Sequence, residues 1–273
     1  MKDRSAWVSV FVLLLLLLSP VLAAADGTLV LEEMAAGMEG KYGGCVPEQW
    51  GERLEGVVSR FDTNKGEIAL TLDACGGRGG SGYDGDLIDF LTARKIPATL
   101  FVNARWIDAN PGIFASLARN PLFEIENHGW RHKPCSVAGR SVYGIAGTKD
   151  ISELVDEVEL NAVKIETLTG RKPVFFRAGT AYYDEVAVHI IRDLGYIPAG
   201  YSVLGDAGAT YSREQVVAAL LKAGPGDIIL CHMNHPEGDT AEGIMDALHM
   251  LLDRGFSFVR LDGTTIPGLT GRK

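Results

Sequence analysis

Two histidines four residues apart, two aspartates, one arginine and a third histidine are the residues of this 273-residue chain whose types and placement could do chemistry. His128 and His132 lie in Asn127-His128-Gly129-Trp130-Arg131-His132. On one helical turn that spacing would aim both imidazoles the same way, and imidazole readily binds divalent transition metals. Asp73, Arg177 and His232 each directly follow a short apolar run, His128 follows another, and Asp206 comes a few residues after a fifth. Carboxylates and imidazoles accept and donate protons near neutral pH, so their recurrence after such runs points to a site rather than to isolated capping groups. The stretch Gly77-Arg78-Gly79-Gly80-Ser81-Gly82 formally matches a dinucleotide fingerprint. The acidic residue that would hold a ribose is missing, since the next run ends Val102-Asn103-Ala104, and no Lys-Ser or Lys-Thr makes it a P-loop. It reads instead as a mobile loop at the mouth of a site.

The elements that must position these residues alternate. Strand-like runs occur at Ile68–Leu72, Ala98–Val102, Phe123–Ile125, Val174–Phe176, Ile197–Ser202, Ile228–Cys231 and Phe256–Leu261, each short and rich in apolar or β-branched residues. Between them, Asp84–Arg94, Pro111–Arg119, Asp150–Leu168, Asp184–Leu194, Ser212–Lys222 and Thr240–Arg254 have helical period, caps or C-terminal glycines. Strand–helix alternation means parallel strands with crossover helices, and seven units in one chain suit a closed or nearly closed barrel; an open doubly wound sheet is the alternative. In a barrel every strand end opens on one face, so the polar residues after the strands would converge there.

The ends and the composition narrow the class further. Lys2 and Arg4 precede the apolar run Trp7–Leu18, followed by Ser19-Pro20 and Leu22-Ala23-Ala24-Ala25, the order of a cleavable secretory signal. Residues 1–25 are therefore expected to be a signal peptide, 26–60 a polar lead-in and 61–273 one barrel domain, secreted or periplasmic. No second apolar run is long enough to span a bilayer, so no membrane association is expected after cleavage. A net charge of -9 argues against a nucleic-acid partner, which a basic stripe would serve. Cys45, Cys75, Cys135 and Cys231 allow three complete pairings in an oxidising compartment, or four free thiols. His189 and His249 fall within helices and are expected in packing or at the surface, whereas His235 is ambiguous.

The series Thr71-Leu72-Asp73-Ala74-Cys75-Gly76, His128-Gly129-Trp130-Arg131-His132, Phe176-Arg177-Ala178-Gly179 and Leu230-Cys231-His232 resembles, in order, the motifs of the polysaccharide deacetylases with a NodB-homology domain, carbohydrate esterase family 4. The resemblance implies a distorted (β/α)7 barrel. It implies Asp73 as general base, Arg177 orienting it, His128 and His132 as metal ligands, His232 as general acid, and Asp206 as the aspartate that tunes that acid. The metal implied is divalent, zinc first, and the substrate an N-acetylated, less readily O-acetylated, polysaccharide. The chain departs from the pattern at Ala74, where the family's second aspartate completes the metal triad; water, Asp84 or Asp206 would have to substitute. Gly179-Thr180 replaces a proline–aromatic pair, with Tyr182 and Tyr183 nearby to line a sugar cleft. These departures leave two other readings: a non-catalytic carbohydrate-binding protein, or a hydrolase of another amide, such as a small cyclic one.

Overall fold

The computed structural model describes residues 29–267; the expected signal peptide lies outside them. The first helix, α1 (residues 29–42), belongs to the lead-in. Its Met34, Ala35, Met38 and Tyr42 pack on the apolar cluster around helices α5 (Ile151–Thr169) and α6 (Glu185–Asp193). Among the described residues, no helix is long and apolar enough to cross a membrane.

The long strand β1 (Glu67–Ala74) is the axis of the sheet. Its alternation sends Ile68, Leu70, Leu72 and Ala74 into the main apolar core against the helices, while Ala69, Thr71 and Asp73 face the other side. Strands β2 (Ala98–Val102), β3 (Phe123–Asn127), β6 (Phe175–Phe176) and β7 (Ile197–Pro198) follow outward on one flank, and β9 (Ile228–His232) and β8 (Val203–Leu204) on the other, all parallel. The expected strand over residues 197–202 is thus divided. Its start pairs with β6 and the chain just beyond its end pairs with β9, so one short continuous segment joins the two edges and curls the sheet into a barrel. Strand β10 (Ser257–Val259) does not enter that ring. Ala69 pairs with both Ile228 and Val259, so β10 lies on the β2 side of β1, near its N-terminal end.

The crossovers are α2 (Gly85–Arg94), α3 (Ala104–Ala109) with α4 (Pro111–Arg119), α5, α6, α7 (Arg213–Leu220) and α8 (Thr240–Asp253). Their starts follow local chemistry: the Asp84, Asp150 and Asp184 side chains accept backbone N–H bonds at the first turns of α2, α5 and α6, and Ser212 with Gln215 forms a capping box at α7. Asp84, a substitute ligand in the sequence reading, is therefore a helix cap. A hairpin absent from the sequence reading, β4 (Ser141–Val142) and β5 (Ile145–Ala146), rises between β3 and α5. Its two-residue turn, Tyr143-Gly144, has both φ angles positive, 53° and 75°, as a tight hairpin requires.

Candidate active site and metal centre

The strand register builds the site. Asp73 is not beyond β1 but its penultimate residue, and it is the direct register partner of His232, the last residue of β9. Register partners on parallel strands share a face, so the carboxylate and the imidazole enter the same end of the barrel. Arg177 follows β6 and reaches across the interior: its Nη1 donates to Asp73 Oδ1 at 2.6 Å and to Thr71 Oγ1 at 2.8 Å, and Nη2 donates to the Gly200 carbonyl at 2.9 Å. The guanidinium lies 4.0 Å from the centroid of the Phe101 ring. Arginine suits this position because its planar fork can serve several acceptors while stacking on an aromatic face. Arg177 and Asp73 are both buried, so each neutralises a charge that would be costly alone.

On the β9 side, Asp206 is fully buried and bonded to His232 twice. Its carboxylate accepts from the His232 backbone N–H at 2.7 Å and meets Nδ1 at 3.0 Å; Gly208 N–H and the Thr240 hydroxyl complete its shell. Burial disfavours the charged imidazole, but the Asp206 carboxylate outweighs it and holds His232 well above the ordinary histidine range.

On the β3 side, His128 and His132 converge, but not on a helical turn. The loop after β3 is irregular, with Gly129 at φ 79° and His132 at φ 60°, and the rings meet edge-on with centroids 4.7 Å apart. Glu157 of α5 accounts for that shape: its carboxylate accepts the Arg131 and Lys133 backbone N–H groups at 2.8 and 3.0 Å. Burial pushes Glu157 up to about 7, against those hydrogen bonds. Gly179 is required opposite, because a Cβ there would stand 2.2 Å from the His132 carbonyl oxygen. His128 Nδ1 meets the Arg177 carbonyl at 2.9 Å. That contact makes Nδ1 the protonated nitrogen and leaves the Nε2 lone pair facing the cleft.

Nε2 looks towards a residue to which the sequence reading gave no site role. Cys75 Sγ is 3.8 Å away, and one donor atom each from Cys75, His128 and His132 lie within 4.8 Å of one another. Asp206, the other substitute ligand considered, is committed to His232. One sulfur and two imidazole donors fit a tetrahedral zinc-type cation with a position left open to the cleft. Period-two alternation from Asp73 would have singled out Cys75 and set Ala74 aside, since residues 73 and 75 share a face and 74 points into the core.

The cleft over these groups holds about 600 Å³ and takes Tyr143, Tyr201, Glu52 and His235 into its walls. Tyr143, from the β4–β5 hairpin, is 72% exposed, and its ring is 5.7 Å from that of Tyr182, which in turn meets Trp50 at 5.6 Å. Tyr182 thus backs the cleft wall. Tyr183 does not reach it: it is buried, and its hydroxyl bonds the Ala178 N–H and the Ala199 carbonyl. The glycine loop is at the mouth, but it is tied down rather than loose. Asn234 donates to the Gly80 carbonyl, Trp106 to Gly82 and Asn110 to Ser81, at 2.8, 2.7 and 3.0 Å. His189 is exposed on α6, and His249 packs edge-on against Phe90. All four cysteines are free thiols.

A curled parallel barrel whose strand ends join a carboxylate–arginine pair, a carboxylate–histidine pair and a cation-fitting cluster defines a deacetylase-like hydrolase fold. The chain belongs to the polysaccharide deacetylase family, whose model matches residues 60–199, just over half of its length. Deacetylases of the family are generally metal-dependent. An uncharacterised 30.6 kDa protein of Geobacillus stearothermophilus is 24% identical over 225 residues, covering 79% of this chain and 77% of that one. A carbohydrate esterase family 4 pseudoenzyme of Bacillus anthracis superposes with a TM-score of 0.61 at 19% identity. The match covers 75% of this chain and 66% of that protein, for which a mutant with restored enzymatic activity is also known. A peptidoglycan N-acetylglucosamine deacetylase, solved with a hydroxamate-type benzamide bound, has a TM-score of 0.63 at 20% identity, covering 77% and 92%. At these identities the likeness of the solved structures is one of fold.

Proposed function

We propose that the protein is a metal-dependent deacetylase that removes N-acetyl groups from an amino-sugar polysaccharide outside the cytoplasm, with residues 1–25 as its export signal. The observation that carries this reading is the pairing of Asp73 with His232 in strand register, each with its own charged partner behind it. A cation at the Cys75–His128–His132 cluster would polarise the acetyl carbonyl and acidify water. Asp73 takes the proton from the attacking water at Oδ2, the oxygen that Arg177 leaves free. Arg177 fixes the carboxylate's orientation and balances its charge. His232 donates a proton to the departing amine, a poor leaving group until protonated, and Asp206 holds that proton on the imidazole near neutral pH. Tyr143 and Tyr201 offer apolar faces with polar tips to a sugar ring. A peptidoglycan-type glycan of N-acetylhexosamines is the substrate we favour, by analogy with the deacetylase of similar fold.

The test is acetate release from N-acetylated glycans, peptidoglycan and chitin oligomers first, by the purified protein loaded with zinc. We expect turnover that requires metal. Binding of those glycans with no acetate released would instead establish the non-catalytic reading, which Ala74 and the similarity to a pseudoenzyme favour.

A further inference from the structure

We propose that Cys75 supplies the third protein ligand of the metal site, so that a thiolate stands where the family's pattern has a carboxylate and the bound metal is zinc. The proposal rests on the reading of this cleft as a metal site. It concerns which atoms hold the cation.

The sheet geometry makes the substitution. A ligand at position 74 would have to turn against the pleat, because the Ala74 side chain is buried in the core shared with Leu72, Leu87 and Trp106. Position 75 continues the inward face on which Asp73 lies. Gly76, at φ 68°, then turns the chain away; a Cβ there would stand 2.4 Å from the Trp106 backbone nitrogen. The Cys75 carbonyl accepts from Arg105 Nη2 at 3.2 Å, which braces the residue from behind. Its sulfur is left facing His128 Nε2 at 3.8 Å, a separation close to the roughly 3.3–3.8 Å expected between sulfur and nitrogen donors on one tetrahedral zinc. The His128 ring is already oriented by the Arg177 carbonyl, and the His132 loop by Glu157. The cluster therefore has what a metal site needs: converging donors, oriented rings and an open side.

A sulfur donor changes which metal the site prefers. Thiolate with two imidazoles favours zinc, with cobalt as a spectroscopic stand-in, over magnesium, calcium and manganese, which prefer oxygen. It also gives the thiol a reason to stay unpaired in an oxidising compartment, since a metal-bound thiolate is shielded from exchange.

Cobalt loading of the whole purified protein reads the ligand directly. The native protein is expected to show a sulfur-to-cobalt charge-transfer band in the near ultraviolet. Cys75→Ser should lose the band and weaken zinc by more than about 100-fold in chelator competition, beyond the 10–100-fold typical of losing an outer-shell partner. Cys75→Asp should regain binding without the band and shift preference towards manganese. A second measurement needs no variant: zinc should protect Cys75 of the native protein from alkylation by iodoacetamide. An unchanged cobalt spectrum in a folded Cys75→Ser protein, or equal alkylation with and without zinc, would overturn the proposal. So would thiol acylation by substrate in metal-free protein, which would make Cys75 a nucleophile beside His232. Metal held through Cys75 without acetate release would sink the deacetylase reading alone, and acetate release with Cys75 freely alkylated would sink only this one.

Discussion

The two walls of the cleft are built differently. The β9 wall is complete in protein atoms: Asp206 is bonded to the backbone and ring of His232, and Gly208 and Thr240 fill the rest of its shell. The β1–β3 wall is oriented but lines the cleft, with one donor atom each from Cys75, His128 and His132 within 4.8 Å of one another. Buried polar groups need partners. The first wall finds them within the chain, whereas the second is shaped for an added cation. Asp73 and Arg177 join the two.

Breaking that junction should have the largest effects. Asp73→Asn keeps the shape but removes the base; we expect acetate release to fall by ~10²–10⁴ in kcat, with metal content by elemental analysis unchanged. Loss of metal together with activity would instead assign Asp73 to the metal wall. Arg177→Met leaves Asp73 buried without its guanidinium partner, with only the His128 imidazole facing it at 3.6 Å, so the unfolding free energy in urea should drop by about 3–5 kcal/mol. A drop under about 1 kcal/mol, the range of an exposed ion pair, would mean that water reaches Asp73.

Asp206→Asn tests the self-sufficient wall. Because Asp206 raises His232, the alkaline limb of the rate profile should move to lower pH in the variant, with zinc affinity unchanged. The same linkage has a stability side. A histidine raised on folding contributes stability fully present below its unfolded pKa of about 6.5, and lost as pH rises through the higher folded value. The variant should therefore lose stability at acid pH and little in alkali. A limb that stays in place would take His232 out of the acid's role. The smallest effect is expected at the cleft rim: Tyr143→Ala should raise KM for a glycan several-fold, about 0.5–1.5 kcal/mol of ring contact, and leave kcat near its native value.

Much of this was legible in the sequence, for identifiable reasons. The helices α2, α4, α5, α6, α7 and α8 announce themselves by caps and three-to-four periodicity, signals carried within one segment. The candidate proton-transfer residues were legible because strand ends in a parallel barrel share a face. The hairpin at Tyr143, the short α3 and the docking of α1 were not, since two-residue strands and single turns carry too little periodicity to read. Tyr183 was misplaced for a related reason: an aromatic after a strand suits a sugar cleft, but its hydroxyl finds better-placed backbone partners inside. His128 and His132 were rightly drawn together by spacing, though an irregular loop braced by Glu157, 24 to 29 residues further on, does the work expected of a helical turn.

By itself the sequence determined the alternation of strands and helices, and with it a barrel whose polar residues gather at one end. It also determined which chemistries are available, because residue types and local period are properties of a segment. Only the tertiary structure decided the partners: that Asp206 bonds His232, that Glu157 braces the loop of His128 and His132, and that the Cys75 sulfur meets those two histidines. Those are distances between segments far apart in the chain, set by strand order, register and the pleat.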